Sequence, residues 1–140
     1  NWKGGQFSIN EVPWADVESA AGSSFADYGD AAIVVISRSG GEGSDLTAVN
    51  FAETEGVEGN SGNYLELSTE EADMLAAVNE QFDNVVVLIN ANSALELGWL
   101  ADYENIKAAL WIGGVGQTGL YAVADALVGD VVPSGRLVDT

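Results

Sequence analysis

Three short apolar runs constrain this chain more than any other feature: Asp30-Ala-Ala-Ile-Val-Val-Ile-Ser37, Asn84-Val-Val-Val-Leu-Ile-Asn90 and Lys107-Ala-Ala-Leu-Trp-Ile112, the last ended by Gly113-Gly114. The first two are continuous and rich in β-branched residues, which suits strands covered on both faces, as parallel strands are. Helical patterns lie between and after them. Strand and helix in alternation indicate a parallel sheet layered with helices. The expected fold is therefore α/β, a three-layer sandwich with a mostly parallel sheet flanked by helices. A chain of 140 residues suits one such domain, 1–140, with a sizeable core.

The helix between the first two strands has a written start. Ser68-Thr-Glu-Glu71 is a capping box, in which the serine hydroxyl accepts from the Glu71 amide and the Glu71 side chain reaches back. Leu67 and Ala72 sit at the spacing of a hydrophobic staple, and Leu75, Val78 and Phe82 continue one apolar stripe. A shorter helix is expected from Ser93 to about Tyr103. Another is expected from Thr118 to Val128, burying Leu120, Val123, Ala124 and Leu127, with Gly129 placed to stop it and Pro133 soon after. In the N-terminal segment, 1–29, the pattern supports a helix from Pro13 to Ala21 packing Trp14 and Val17. Gly22 to Gly29 reads as a loop or frayed continuation, and Gln6 to Ile9 as an edge strand. The stretch 40–63 is a long acidic, glycine-rich loop carrying Glu42, Asp45, Glu53, Glu55 and Glu58. Segments of that length without regular structure are usually functional or disordered.

Composition removes whole classes of chemistry. With no cysteine and no histidine, thiol chemistry, disulfides, the usual zinc sites and histidine-based triads are excluded, and carboxylates remain. The formal net charge is −18, from 22 acidic and four basic residues. Four scattered cations cannot assemble the basic stripe that nucleic acid requires, and anionic membrane surfaces are disfavoured on the same ground. No apolar run approaches a membrane span. Met74 is the only methionine, so the chain is expected to be part of a longer protein or a processed product.

Ligands of open parallel sheets bind beyond the carboxyl ends of the strands. Three segments share that edge if the strands are parallel: Arg38-Ser-Gly-Gly-Glu-Gly-Ser-Asp45, Asn90-Ala-Asn-Ser93 and Gly113-Gly-Val-Gly-Gln-Thr-Gly119. The last looks like a phosphate loop, but Gln117 stands where such a loop has lysine, so a tight strand-to-helix turn is the better reading. Glu42 is either a solvated acidic turn or a functional carboxylate on a binding edge. Asp45, Glu53, Glu55 and Glu58 do not have EF-hand spacing, and no metal or cofactor is expected.

Ile33-Val-Val-Ile-Ser-Arg-Ser-Gly-Gly-Glu-Gly-Ser-Asp45 resembles the strand and loop of family 3 glycoside hydrolases. So do Tyr64-Leu-Glu-Leu-Ser-Thr-Glu-Glu71, the strands at Val85 and Ile106 with their glycine turn, and the stretch from Ala124 through Pro133-Ser-Gly-Arg-Leu137 to Thr140. The resemblance runs in order from Asp30 to Thr140. It departs at Leu46, where the family pattern has arginine after the aspartate. It implies the C-terminal α/β sandwich domain of a retaining β-glucosidase-like enzyme, with a first βα unit cut off or altered before Asn1.

By the same resemblance, a separate (β/α)₈ barrel carries the nucleophile and this domain's loop carries the acid/base, with Glu42 matching the motif glutamate and Glu53 or Glu55 as alternatives. Arg38 and Asp45 are the substrate-binding candidates, for a β-linked glucoside or oligosaccharide. A proton donor needs a raised pKa, and an isolated domain supplies neither the burial nor the second carboxylate in full. The chain alone is therefore expected to be inactive. The alternative is a free-standing α/β module that binds a small ligand or serves structure alone, without catalysis. An incomplete sheet would also leave a strand edge open to pairing between chains.

Overall fold

A computed structural model of the chain describes residues 12–38 and 65–137. The expected edge strand at Gln6 to Ile9 and the glycine-rich stretch 40–63 lie outside the described residues. Within them the order is helix α1 (Trp14–Ala21), a 3₁₀ segment (Gly22–Tyr28), strand β1 (Ala32–Ser37), helix α2 (Thr69–Gln81), strand β2 (Val85–Asn90), a 3₁₀ turn (Gly98–Asp102), strand β3 (Ile106–Trp111) and helix α3 (Leu120–Leu127). The strands form one sheet in the order β1-β2-β3, parallel throughout. Ser37 pairs with Asn90 and Ile89 with Trp111, so the three strands finish level with one another. The fold is α/β, as the alternation of patterns requires.

The core lies on one face of this sheet. Val34 and Ile36 of β1 and Val85, Val87 and Ile89 of β2 pack with Leu75, Val78 and Phe82 from α2 and its end. This is the period of two in a strand meeting the period of 3.6 in a helix. On the other face of β1, Ile33 and Val35 are about half exposed, at 55% and 51%. The unbroken apolar run of β1 thus marks two faces fit for burial, of which one is covered among the described residues.

The start of α2 forms as its sequence dictates. Ser68 Oγ accepts from the Glu71 amide at 3.1 Å, and Glu71 Oε2 accepts from the Ser68 amide at 2.9 Å. Leu67 is buried in the core and Ala72 packs against it. At the N-terminal side, the Asp16 and Val17 amides donate to the Pro13 carbonyl. Trp14 stacks on Phe25 and Phe25 meets Phe82 edge-on, at centroid distances of 6.0 and 5.9 Å. That aromatic chain ties the 3₁₀ segment to the far end of α2. Asn79 of α2 binds Asn105 through two hydrogen bonds of 2.9 and 2.8 Å, which fixes the lead-in to β3.

Two expectations are corrected. No α-helix spans Ser93 to Tyr103; only the 3₁₀ turn at Gly98–Asp102 is helical. The Glu96 amide donates to Leu65 O at 2.9 Å, so the segment bonds to the lead-in of α2 and not to itself, while Leu95 is buried in the core. Helix α3 forms, and its end carries the two hydrogen bonds of a Schellman cap, Asp130 N to Asp125 O and Gly129 N to Ala126 O, with Gly129 at φ 84°. None of its residues is buried, however, and Leu120 is 58% exposed. Its apolar stripe has the right spacing, but periodicity specifies a face suited to burial and not the layer that covers it.

These contacts rank the side chains. Leu75, 1% exposed, should cost about 2–5 kcal/mol when changed to alanine. Leu120→Ala in this chain should stay within about 0.5 kcal/mol. Ser68→Ala should cost ~1 kcal/mol by loss of the cap. Urea denaturation of the three variants measures the order, and a Leu120 effect matching that of Leu75 would contradict the exposure of α3.

Candidate functional site

The level ends of three parallel strands create one polar edge. At the end of β2, the Asn90 amide group donates to Gly113 O at 2.8 Å. The Ile112 amide donates to Ile89 O at 2.9 Å, and the Trp111 indole to Ala91 O at 2.9 Å. The ends of β2 and β3 are thereby knitted into a single shelf. Trp111 is accordingly a part-buried scaffold residue.

Glycine is required in the turn that follows. Gly113 and Gly116 have φ of 57° and 60°, where side chains are disfavoured. A Cβ on Gly119 would stand 2.3 Å from Val115 O, so the chain closes onto itself there just before α3. With the Gly119 amide donating to Val115 O at 3.0 Å, the segment is a tight strand-to-helix turn, the reading that the missing lysine favoured. In the segment that follows β2, Ser93 Oγ is buried with no hydrogen-bond partner among the described residues.

The end of β1 is organised differently. Arg38 directly follows the strand, its amide donating to Asn90 O at 3.2 Å. Its side chain turns inward and is 2% exposed. Nη1 donates to Glu71 Oε1 at 2.5 Å and to Ser37 O at 2.8 Å; Nη2 donates to Glu71 Oε2 at 2.7 Å and to Glu66 O at 2.6 Å. A planar guanidinium reaches both oxygens of one carboxylate and two carbonyls at once because its donors form a rigid fork. Glu71 Oε2 also holds the Ser68 amide, so one carboxylate serves as helix cap and counterion together.

Of the residues singled out by sequence, Arg38 is thus placed at the carboxyl edge but within the scaffold. Glu42, Asp45, Glu53 and Glu55 lie outside the described residues. The sequence signalled Glu71 as a cap and gave no sign of its pairing with Arg38, 33 positions away. Trp99 lies at the 3₁₀ turn, its indole donating to Glu96 O at 2.6 Å and its ring meeting Tyr103 edge-on. The phenol of Tyr103 is pushed above the ordinary tyrosine pKa by burial, with Asp102 and Asp73 adding to the effect.

Comparison with known proteins gives one consistent result. The profile of the glycosyl hydrolase family 3 C-terminal domain matches residues 8–140. A β-glucosidase of Schizophyllum commune is 36% identical over 125 residues, covering 88% of this chain and 60% of the relative. A β-glucosidase of Ruminococcus albus is 30% identical over 141 residues, covering 99% of this chain and 13% of the relative. Among solved structures, a β-glucosidase from Paenibacillus barengoltzii superposes with a TM-score of 0.66 at 32% identity, covering 95% of this chain and 13% of that one. This chain therefore spans only part of the length of each of these relatives.

Removing one member of a buried ion pair strands the other. Arg38→Met and Glu71→Gln should each lower stability by about 3–5 kcal/mol. The double variant should fall short of their sum by roughly 1–3 kcal/mol, because the two side chains are coupled. A double-mutant cycle by chemical denaturation checks this, and additive losses would show that the pair is not an energetic unit.

Proposed function

Since this chain belongs to glycosyl hydrolase family 3, as its C-terminal domain, we propose that it supplies the acid/base carboxylate of a retaining β-glucosidase-like enzyme. The nucleophile is assigned to a (β/α)₈ barrel domain of the same protein, and the substrate to the β-linked glucosides or oligosaccharides. The observation that carries the reading is topological. β1 ends level with two parallel neighbours, and the glutamate-bearing segment follows it directly at Arg38. Open parallel sheets bind ligands beyond that edge. The names of the relatives and the short share of the Ruminococcus and Paenibacillus proteins that this chain covers support a partial-domain role.

The chemistry follows from two carboxyl groups about 5–5.5 Å apart. The barrel carboxylate attacks the anomeric carbon while Glu42, protonated, gives its proton to the leaving glycosidic oxygen as the C–O bond breaks. A glycosyl-enzyme results. Glu42, now a carboxylate, takes a proton from water, which attacks the anomeric carbon and releases the barrel carboxylate. Glu53 and Glu55 are the alternative acid/base positions in the same segment. Of the two polar residues assigned to the substrate side, Asp45 is proposed to bind a sugar hydroxyl. Arg38, the other, is proposed to contribute to substrate binding from the end of β1, where Glu71 holds its guanidinium.

Two measurements test this. The 140-residue chain alone should release no aryl alcohol from an aryl β-glucoside, because it holds half of the carboxylate pair. In the full-length protein carrying its barrel, Glu42→Gln should lower kcat/KM by about 10²–10⁴-fold on a glucoside with a poor leaving group. The same loss at Glu53→Gln or Glu55→Gln, with Glu42→Gln unaffected, would move the role within the segment. No such loss at any of the three would refute the reading.

A further inference from the structure

We infer that the Asn92 amide binds hydroxyls of the leaving-group sugar, from a subsite at the carboxyl end of β2. This deepens the proposed function and rests on it, since a domain that supplies the proton donor lies on the leaving-group side of the scissile bond, opposite the nucleophile. The stretch Asn90-Ala-Asn-Ser93 leaves the central strand of the sheet, and its polar groups are spent differently. Asn90 Nδ2 is committed to Gly113 O at 2.8 Å and holds the shelf together. Ser93 Oγ is closed off from the surface. Asn92 is exposed, and its amide makes no hydrogen bond with the described residues. Within this stretch, Asn92 is therefore the polar side chain open to a ligand.

The amide is nonetheless given a place. It lies against the glycine turn, where a Cβ on Gly114 would stand 3.0 Å from its Oδ1 and 3.1 Å from its Nδ2. A Cβ on Gly113 would stand 3.7 Å from the same Oδ1. Gly113 and Gly116 need glycine for their positive φ, but Gly114 is not among the positive-φ glycines. What glycine provides at 114 is room for the Asn92 amide. The turn thus seats a side chain that bonds to nothing in the described fold, on the edge where open parallel sheets bind their ligands. The seat is itself fixed, because the ends of β2 and β3 are joined through Asn90, Ile112 and Trp111. Rigid support of that kind is what a binding group requires.

The chemistry of the group selects its ligand. An amide offers two donors and an acceptor oxygen in one plane. Neighbouring hydroxyls of a sugar, each both donor and acceptor, match that set. The amide carries no charge, so covering it with a ligand avoids the desolvation cost of a carboxylate. In a chain of net charge −18, an anionic ligand is disfavoured. A phenol leaving group has no such hydroxyls to offer, whereas a second glucose does. The contact should therefore be felt with one class of leaving group and not with the other.

The experiment assays the full-length protein on a β-linked glucose disaccharide and on phenyl β-glucoside. For Asn92→Ala, kcat/KM should fall by about 3–10-fold on the disaccharide, the worth of a neutral hydrogen bond, and by less than about twofold on the phenyl glucoside. Gly114→Ala, which keeps Asn92 but occupies its seat, should show the same selective loss. Because Asn92 is exposed, its variant should keep the unfolding midpoint of the parent, which thermal denaturation verifies. A role in the scaffold alone would lower both substrates by one factor, and that outcome, or no loss on either, overturns the inference. Glu42→Gln, Glu53→Gln and Glu55→Gln are measured alongside on the phenyl glucoside. Loss at one of them without selectivity at Asn92→Ala refutes the Asn92 assignment alone; loss at none of the three refutes the acid/base reading beneath it.

Discussion

The buried pair of Arg38 and Glu71 connects the sheet to the helix that covers it. A cation taken out of water is stable only where its hydrogen-bonding capacity is met. Here that requirement is met by Ser37 O at the end of β1, Glu66 O ahead of α2 and both oxygens of the α2 capping glutamate. Satisfying Arg38 therefore fixes the relative placement of a strand end and a helix start. Hydrophobic burial brings β1 and α2 together, but Val34, Ile36, Leu75 and Val78 make non-directional contacts. The ion pair adds direction: a carboxylate held by its own helix cap can meet the guanidinium fork in few orientations.

At the other strands the same edge is fixed by neutral groups. Asn90 bonds to Gly113 O, Trp111 to Ala91 O, and glycines carry the turn into α3. The edge is thus rigid at β2 and β3 through short polar links, and at β1 through one charged cluster.

Much of the scaffold was legible because its signals are local. The capping box, the staple of Leu67 and Ala72, the two β-branched strands and the glycine stop of α3 each need only a few neighbouring residues, and each formed as written. The segment after Ser93 was misread because its apolar residues, Leu95, Leu97, Trp99 and Leu100, mimic a helical stripe, while a hydrogen bond from Glu96 to Leu65 holds the backbone elsewhere. No window along the chain contains that partner. The stripe of α3 was read correctly as amphipathic, yet Leu120 and Leu127 are exposed, since what covers a face is a property of the assembled layers. For the site, the resemblance in Arg38-Ser-Gly-Gly-Glu pointed to the strand end where Arg38 lies, whereas the pairing of Arg38 depended on a glutamate whose local pattern already had a complete explanation as a cap.

The charge balance gains meaning from these placements. Four basic residues face 22 acidic ones, and Arg38 is withdrawn into the interior while Lys107 is engaged with Glu104 O and Asn105 Oδ1 beside β3. What the chain presents outward is therefore dominated by carboxylates. A surface of that sign disfavours anionic ligands and does not oppose neutral ones. Five of the acids lie between positions 40 and 63, outside the described residues. Among the described residues, Arg38 is paired with Glu71 in the interior. Because that cation and that carboxylate cancel one another, the net charge of −18 is carried by the remaining groups.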